Sequence, residues 1–216
     1  ILNINKVNAP KLLSNHYMNN MVEISDLGEK SFYDYVILKK NKLNDYKSLV
    51  KLIIKIQKIK VKKSYKLGKF KVKFLKYTLN NLHKESDLFF DWYLKYCLKE
   101  KNISKIKRLL RKELNKVYKK LKFSNNTFVH RDFHVSNIML KKKTLGLIDS
   151  QDAIIGNPLY DIASLIDDVR IKLPNNLQNN LINFYHKNSK LKKRKIENLK
   201  NDFDILSVQR NLKILG

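Results

Sequence analysis

Apolar residues change their spacing several times along this chain, and each change marks an expected element. From Asn44-Asp45 onward, Leu49, Leu52, Ile53, Ile56 and Ile59 recur at three- and four-residue steps, the repeat of one helix face. Ile103, Ile106, Leu110, Leu114, Val117 and Leu121 carry the same repeat over about five turns. Ser31 precedes a short segment from Phe32 to Leu38, Pro174 opens a helix running through Tyr185, and Ile196 to Leu215 forms the last. Ser86 and Asp87 start a further helix in which Leu88, Phe89, Trp92, Tyr93 and Tyr96 share one face. An aromatic stripe at that spacing is the pattern of a helix turned toward a core.

Between these stretches lie short β-like runs. Lys11 to Ser14 and Asn20 to Ile24 flank a polar turn, and Ser25 to Gly28 ends the pair. Thr127-Phe128-Val129 delivers a polar loop, after which Ile138-Met139-Leu140 and Leu145 to Ile148 read as strands joined by a turn from Lys141 to Thr144. Val61 to Asn81 keeps no clear period, because Gly68 and dense lysines interrupt its apolar residues. The whole predicts a mostly helical chain with a few short strands.

Charge alters this picture less than its size suggests. With 46 Lys and Arg against 19 Asp and Glu the formal net charge is +27, a balance often found in nucleic-acid or membrane-surface binders. Here the excess is mostly lysine, spread over nearly every segment among abundant Asn and Ile, and arginines interleaved with aromatics to stack bases are scarce. We therefore expect neither a nucleic-acid nor a membrane partner, and the densest basic run, Lys190 to Lys195, reads as a solvated helix start. No apolar run approaches the ~20 residues that span a bilayer, and a single cysteine, Cys97, permits no internal disulfide, so a cytoplasmic setting is expected. A first residue other than Met, and a last one directly after an apolar helical run, suggest a piece of a longer chain.

The chemistry concentrates in Val129-His130-Arg131-Asp132-Phe133-His134-Val135-Ser136-Asn137, followed by Leu147-Ile148-Asp149. Phosphoryl transfer asks a protein for a carboxylate that orients the attacking hydroxyl and for oxygen ligands to Mg²⁺ on the triphosphate. His-Arg-Asp, an Asn shortly after it and an isolated Asp behind an apolar strand supply both, in the order of a kinase-like catalytic loop. Any one of these residues alone reads as an ordinary turn residue; the ordered set does not. Five glycines, at 28, 68, 146, 156 and 216, rule out a glycine-rich phosphate loop or a Walker A sequence within this chain. A zinc site lacks enough ligands, with one Cys and no His-Glu-x-x-His, and no Gly-x-Ser-x-Gly elbow is present for a serine hydrolase.

His130 to Asn137, Ile148-Asp149-Ser150-Gln151-Asp152-Ala153 and Gly156 to Leu165 together resemble the aminoglycoside phosphotransferase and choline kinase superfamily. Arg131 with Gln151-Asp152-Ala153 most resembles its bacterial anomeric amino-sugar kinases, which act on N-acetylmuramate and N-acetylglucosamine, and many other members carry Gly at the position of Arg131. Gln209 to Gly216 shares the likeness. Ser150 departs from the pattern, since the superfamily usually has Phe beside the metal-binding Asp.

The resemblance implies an α+β, protein-kinase-like fold: residues 1–29 as the end of a β-rich N-lobe with its hinge, and 30–216 as a mostly helical C-lobe. It implies ATP and Mg²⁺ as cofactors, with Asp132 orienting and deprotonating the acceptor hydroxyl, His134 ordering the loop, and Asn137 and Asp149 holding the metal. Ser25, Asp26 and Leu27 become hinge residues for adenine, and Met139 and Ile148 its apolar floor; core packing is an equally good reading for the last two. Asp152 assists the metal or touches substrate. Asp161 reads as the cap of a helix from Ile162 to Val169, and the resemblance adds that it braces the catalytic loop. Trp92 or Tyr93 could instead pack against a sugar ring. The expected function is a kinase of a small hydroxylated acceptor in cell-wall recycling. The alternatives are an aminoglycoside, choline or homoserine kinase, or a catalytically incomplete nucleotide-binding module. The oligomeric state does not follow from the sequence.

Overall fold

A computed structural model describes the chain except residues 63, 68, 69, 98–102 and 143. A hairpin of β1 (Leu12–His16) and β2 (Met21–Ile24) turns through Tyr17–Asn19, with Asn20 in the left-handed region at φ 54°. Ser31 then opens α1 (Phe32–Val36) through a capping box, its hydroxyl accepting from the Asp34 N–H while the Asp34 carboxylate accepts from Ser31 N–H. In α2 (Leu43–Ile56) the expected stripe is buried, including Leu49, Ile53 and Ile56. The stretch without a clear period contains a second small hairpin, β3 (Tyr65–Leu67) with β4 (Phe70–Val72); Gly68 lies outside the described residues.

Thr78 and Asn81 form a second capping box at the start of α3 (Leu79–Leu88), which runs through a π-helical turn, Phe89–Leu94, into α4 (Lys95–Cys97). The amphipathic α5 (Ile103–Tyr118) follows. Next come β5 (Thr127–Val129), the loop, β6 (Ile138–Lys141), β7 (Thr144–Leu147) and β8 (Ile154–Gly156). β6 and β7 pair antiparallel with Met139 opposite Gly146, and β5 pairs with β8 with Val129 opposite Ile154. Lys143, within the expected turn, lies outside the described residues. α6 (Tyr160–Ile166), α7 (Asn175–Asn188) and α8 (Ile196–Leu215) complete the chain.

One apolar core joins α2, α6, α7 and α8 to the root of the loop, where Phe133, Val135, Ile138 and Leu147 are fully buried. The loop therefore stands on packed side chains at both ends, which fixes the polar groups between them.

Three expectations are corrected. The aromatic stripe is not core: Phe90 is buried, whereas Trp92 is 67% exposed and Tyr93 and Tyr96 are exposed too. The buried face of this segment instead carries Leu82, His83, Glu85 and Ser86, a mostly polar set that apolar spacing cannot reveal. Asp161 does not cap its helix, because Leu159 is the cap residue and Asp161 lies in the first turn; the helix also ends at Ile166, short of Val169. The basic run from Lys190 to Lys195 forms a turn ahead of α8 rather than the first turn of a helix.

Candidate active site

β5 ends at Val129, and the chain turns sharply because Arg131 adopts φ 81°. Such a backbone is uncommon for a residue with a side chain and persists where surrounding structure enforces it. Asp161 enforces it here: one carboxylate oxygen accepts the His130 N–H at 2.9 Å and the other the Arg131 N–H at 3.0 Å. Burial pushes the Asp161 carboxyl above the usual range, against the pull of His130 and these two N–H groups. His130, fully buried, places Nε2 3.0 Å from the Ile148 carbonyl and so ties the loop to the exit of β7.

From this brace the loop presents Asp132 toward solvent access, and a short turn, Val135–Asn137, brings Asn137 back beneath it. The Asn137 amide donates to the Asp132 carbonyl at 3.0 Å and to Asp149 Oδ2 at 3.3 Å. The other Asp149 oxygen accepts from the Gln151 amide, and Asp149 itself takes φ 61°. Three residues spread over eighteen positions of sequence are thus one hydrogen-bonded group. For Mg²⁺ the donor chemistry fits, because Asn137 and Asp149 offer amide and carboxylate oxygens, the hard ligands that ion takes. Among the described residues no group of three or more His, Cys, Asp or Glu is placed to hold a metal ion by itself.

His134 lies beneath Asp132, its N–H donating to the Asp132 carbonyl at 3.1 Å while its own carbonyl accepts from Asn137 N–H at 3.0 Å. Burial, reinforced by the charge of Arg170, pushes its imidazole down to about 4, so it is neutral at ordinary pH. An uncharged, buried ring suits ordering of the loop rather than proton transfer.

The expected nucleotide residues gather along the β6–β7 hairpin. Met139 bridges to Ser31 and Ile148 follows β7, and both are half-buried. Leu27 packs onto Gly146, where an added Cβ would meet its side chain at 2.8 Å. Ser25 is committed to the first hairpin, its N–H donating to the Lys11 carbonyl at 2.8 Å and its hydroxyl accepting from Lys11 N–H at 2.9 Å. Asp26 turns inward on Gly28 N–H at 2.9 Å. Of the three, Leu27 is the one whose side chain lies against β7.

Sequence reasoning missed the group that holds Arg131. Its guanidinium donates to Glu85 Oε1 from Nη2 at 2.6 Å and from Nε at 3.2 Å, and Asp152 lies 3.9 Å from Nη1. The second Glu85 oxygen accepts from Gln209 Nε2 at 2.9 Å and from the Tyr77 hydroxyl. Burial raises the Glu85 carboxyl, but the charge of Lys213 and hydrogen bonds from Tyr77, Gln209 and Arg131 outweigh it and hold it below the usual range. Arg210 donates to the Arg131 carbonyl at 3.2 Å and stacks over Tyr160. The signal was available in part, since Asp202, Gln209 and Arg210 interrupt what should be an apolar face of α8.

A mostly helical lobe carrying a braced loop with Asp132, Asn137 and Asp149 at its mouth is the architecture of a protein-kinase-like phosphotransferase. The model of the phosphotransferase enzyme family matches residues 3–195, and the chain belongs to that family. It is 28% identical to an N-acetylmuramate/N-acetylglucosamine kinase of Pseudomonas aeruginosa, over 97% of this chain and 60% of the relative. It is 24% identical to a protein of the same name from Neisseria meningitidis, over 97% and 62%. The chain thus spans about three fifths of the length of these relatives. Among solved structures it is similar to an ethanolamine kinase of Plasmodium vivax (TM-score 0.63, 18% identity, 97% of this chain and 61% of that one). It is also similar to an ADP-bound aminoglycoside phosphotransferase (TM-score 0.61, 16% identity, 96% and 79%).

Proposed function

We propose that the whole protein transfers the γ-phosphoryl group of ATP to the anomeric hydroxyl of an N-acetylated amino sugar, in the cytoplasm and in cell-wall recycling. The observation that carries the reading is the hydrogen-bonded group of Asp132, Asn137 and Asp149 on a loop braced by Asp161. Asp132 hydrogen-bonds the acceptor hydroxyl and takes its proton; the hydroxyl oxygen bonds to the γ-phosphorus, the bond to the β,γ-bridging oxygen breaks, and ADP leaves with that electron pair. Asn137 and Asp149 hold Mg²⁺, which when bound neutralises charge on the triphosphate. Leu27, Met139 and Ile148 form the apolar contact with the base.

The preference for a sugar over a cationic acceptor rests on the acids along α3 and its π-helical extension. Glu85, Asp87 and Asp91 could have made an acidic cleft, but each is already paired, with Arg131, Arg111 and Lys107 respectively. A choline or aminoglycoside would have to displace those partners. The names of the two relatives point the same way.

The test is ³¹P NMR on the full-length protein with Mg²⁺-ATP and N-acetylmuramate, N-acetylglucosamine, choline or an aminoglycoside. An anomeric sugar phosphate that is absent with Asp132→Asn is the expected product. Phosphocholine or a phosphorylated aminoglycoside in its place overturns the acceptor assignment.

A further inference from the structure

We propose that Lys213 is a specificity-determining residue that favours acceptors carrying an anionic substituent within one sugar ring of the phosphorylated hydroxyl. This rests on the amino-sugar reading above and deepens it.

Several polar residues of α8 bond inward. Asp202 accepts the backbone N–H groups of Lys122 and Phe123 at 2.7 and 3.0 Å, Gln209 donates to Glu85, Arg210 to the Arg131 carbonyl, and Asn211 to Asp167 at 2.9 Å. Each of these makes its contact inside the protein. Lys213, one turn beyond Gln209, differs: its ammonium lies 3.7 Å from Asp132 Oδ1, too long for a hydrogen bond, and its side chain keeps 22% exposure beside a 29% exposed Asp132. It is a cation at the mouth of the site, drawn toward the catalytic carboxylate without being locked to it.

The neighbouring cations are engaged. Arg131 holds Glu85, Arg170 is paired with Asp168 at 2.9 Å, and Arg210 is fixed on the loop backbone. The carboxylates that face Lys213 are Asp132 itself and the buried Glu85, which already holds the Arg131 guanidinium. Lys213 is thus the cation beside Asp132 with hydrogen-bonding capacity left for a ligand.

Reach selects the ligand. An acceptor hydroxyl activated by Asp132 sits about 3 Å from its carboxylate, so the ammonium falls within about 7 Å of the reacting oxygen. That span covers a substituent on the same pyranose ring. A carboxylate on such a substituent gains a charge-assisted hydrogen bond, a neutral sugar gains nothing, and a cationic acceptor meets repulsion.

N-acetylmuramate and N-acetylglucosamine differ by one carboxylate-bearing ether and form a matched pair of probes. In the full-length protein, kcat/KM is measured for both with wild type, Lys213→Met and Lys213→Arg, with thermal melting as the folding control. The expected result is that Lys213→Met lowers kcat/KM for N-acetylmuramate about tenfold or more beyond its effect on N-acetylglucosamine, mainly through KM, and that Lys213→Arg restores the preference. Equal losses on both sugars would overturn the proposal and leave Lys213 as a general electrostatic neighbour of Asp132; so would an unchanged ratio. If wild type phosphorylates neither sugar, the amino-sugar reading itself has failed, an outcome separate from a changed ratio.

Discussion

Asp132, Asn137 and Asp149 are ordinary residues whose chemistry comes from their neighbours. Asp161 supplies the first constraint, accepting two backbone N–H groups in a site without water access. Leaving both unpaired costs about 1–3 kcal/mol each, so Asp161→Ala should destabilise the protein by about 2–5 kcal/mol, measured by urea unfolding. Asp149→Asn should raise the Mg²⁺ concentration for half-maximal turnover by about tenfold or more, as a change at a metal-binding group does, with the fold unchanged by circular dichroism. His134 gives a pH signature. Its imidazole takes up a proton near 6.5 when unfolded and only near 4 in the fold, so the unfolded chain binds the extra proton between those values. Stability should therefore fall as pH drops from about 6.5 to about 4, and His134→Gln should flatten that part of the profile in pH-dependent melting.

At the scale of elements, the loop residues and the helices were legible for different reasons. The order His130, Asp132, Asn137, Asp149 is a local pattern, and the strands around it have short apolar runs that sequence shows directly. α2 was legible because its apolar residues repeat at helical spacing, and α7 because Pro174 opens it. β8 was not foreseen: Ile154-Ile155-Gly156 is too short to declare itself, and it forms only because Thr127 to Val129 lies beside it. The Glu85 network was hidden for a similar reason, since its members Tyr77, Glu85, Arg131, Tyr160 and Gln209 come from five separate segments. Arg131 stands at a left-handed turn, a backbone that favours Gly, and this network is what occupies its side chain. If Glu85 couples α3 to α8 through Gln209, a double-mutant cycle of Glu85→Gln and Gln209→Ala should show a coupling of about 1 kcal/mol in chemical unfolding. Additive effects would mean that the two contacts act separately.

On the scale of the whole molecule, the +27 charge comes mostly from lysines spread over nearly every segment of the chain. Few of them meet a carboxylate in the described ion pairs, and the buried charges cluster around the loop instead. Affinity for RNA should accordingly be weak and should vanish between about 50 and 200 mM salt, and Asp132→Asn should not alter it in fluorescence polarisation. No helix among the described residues is long and apolar enough to cross a membrane. The backbone of the loop is held by Asp161 on one side and by the Asn137 amide on the other.

That account stands or falls on Asp132. The decisive measurement is steady-state turnover of the full-length Asp132→Asn protein alongside its affinity for ATP. The account predicts a kcat loss of about 10²-fold or more, the size expected for removing a catalytic base, with nucleotide affinity and melting temperature close to wild type. Turnover that survives the substitution would contradict it, because the carboxylate held over Asn137 and Asp149 would then have no part in the chemistry.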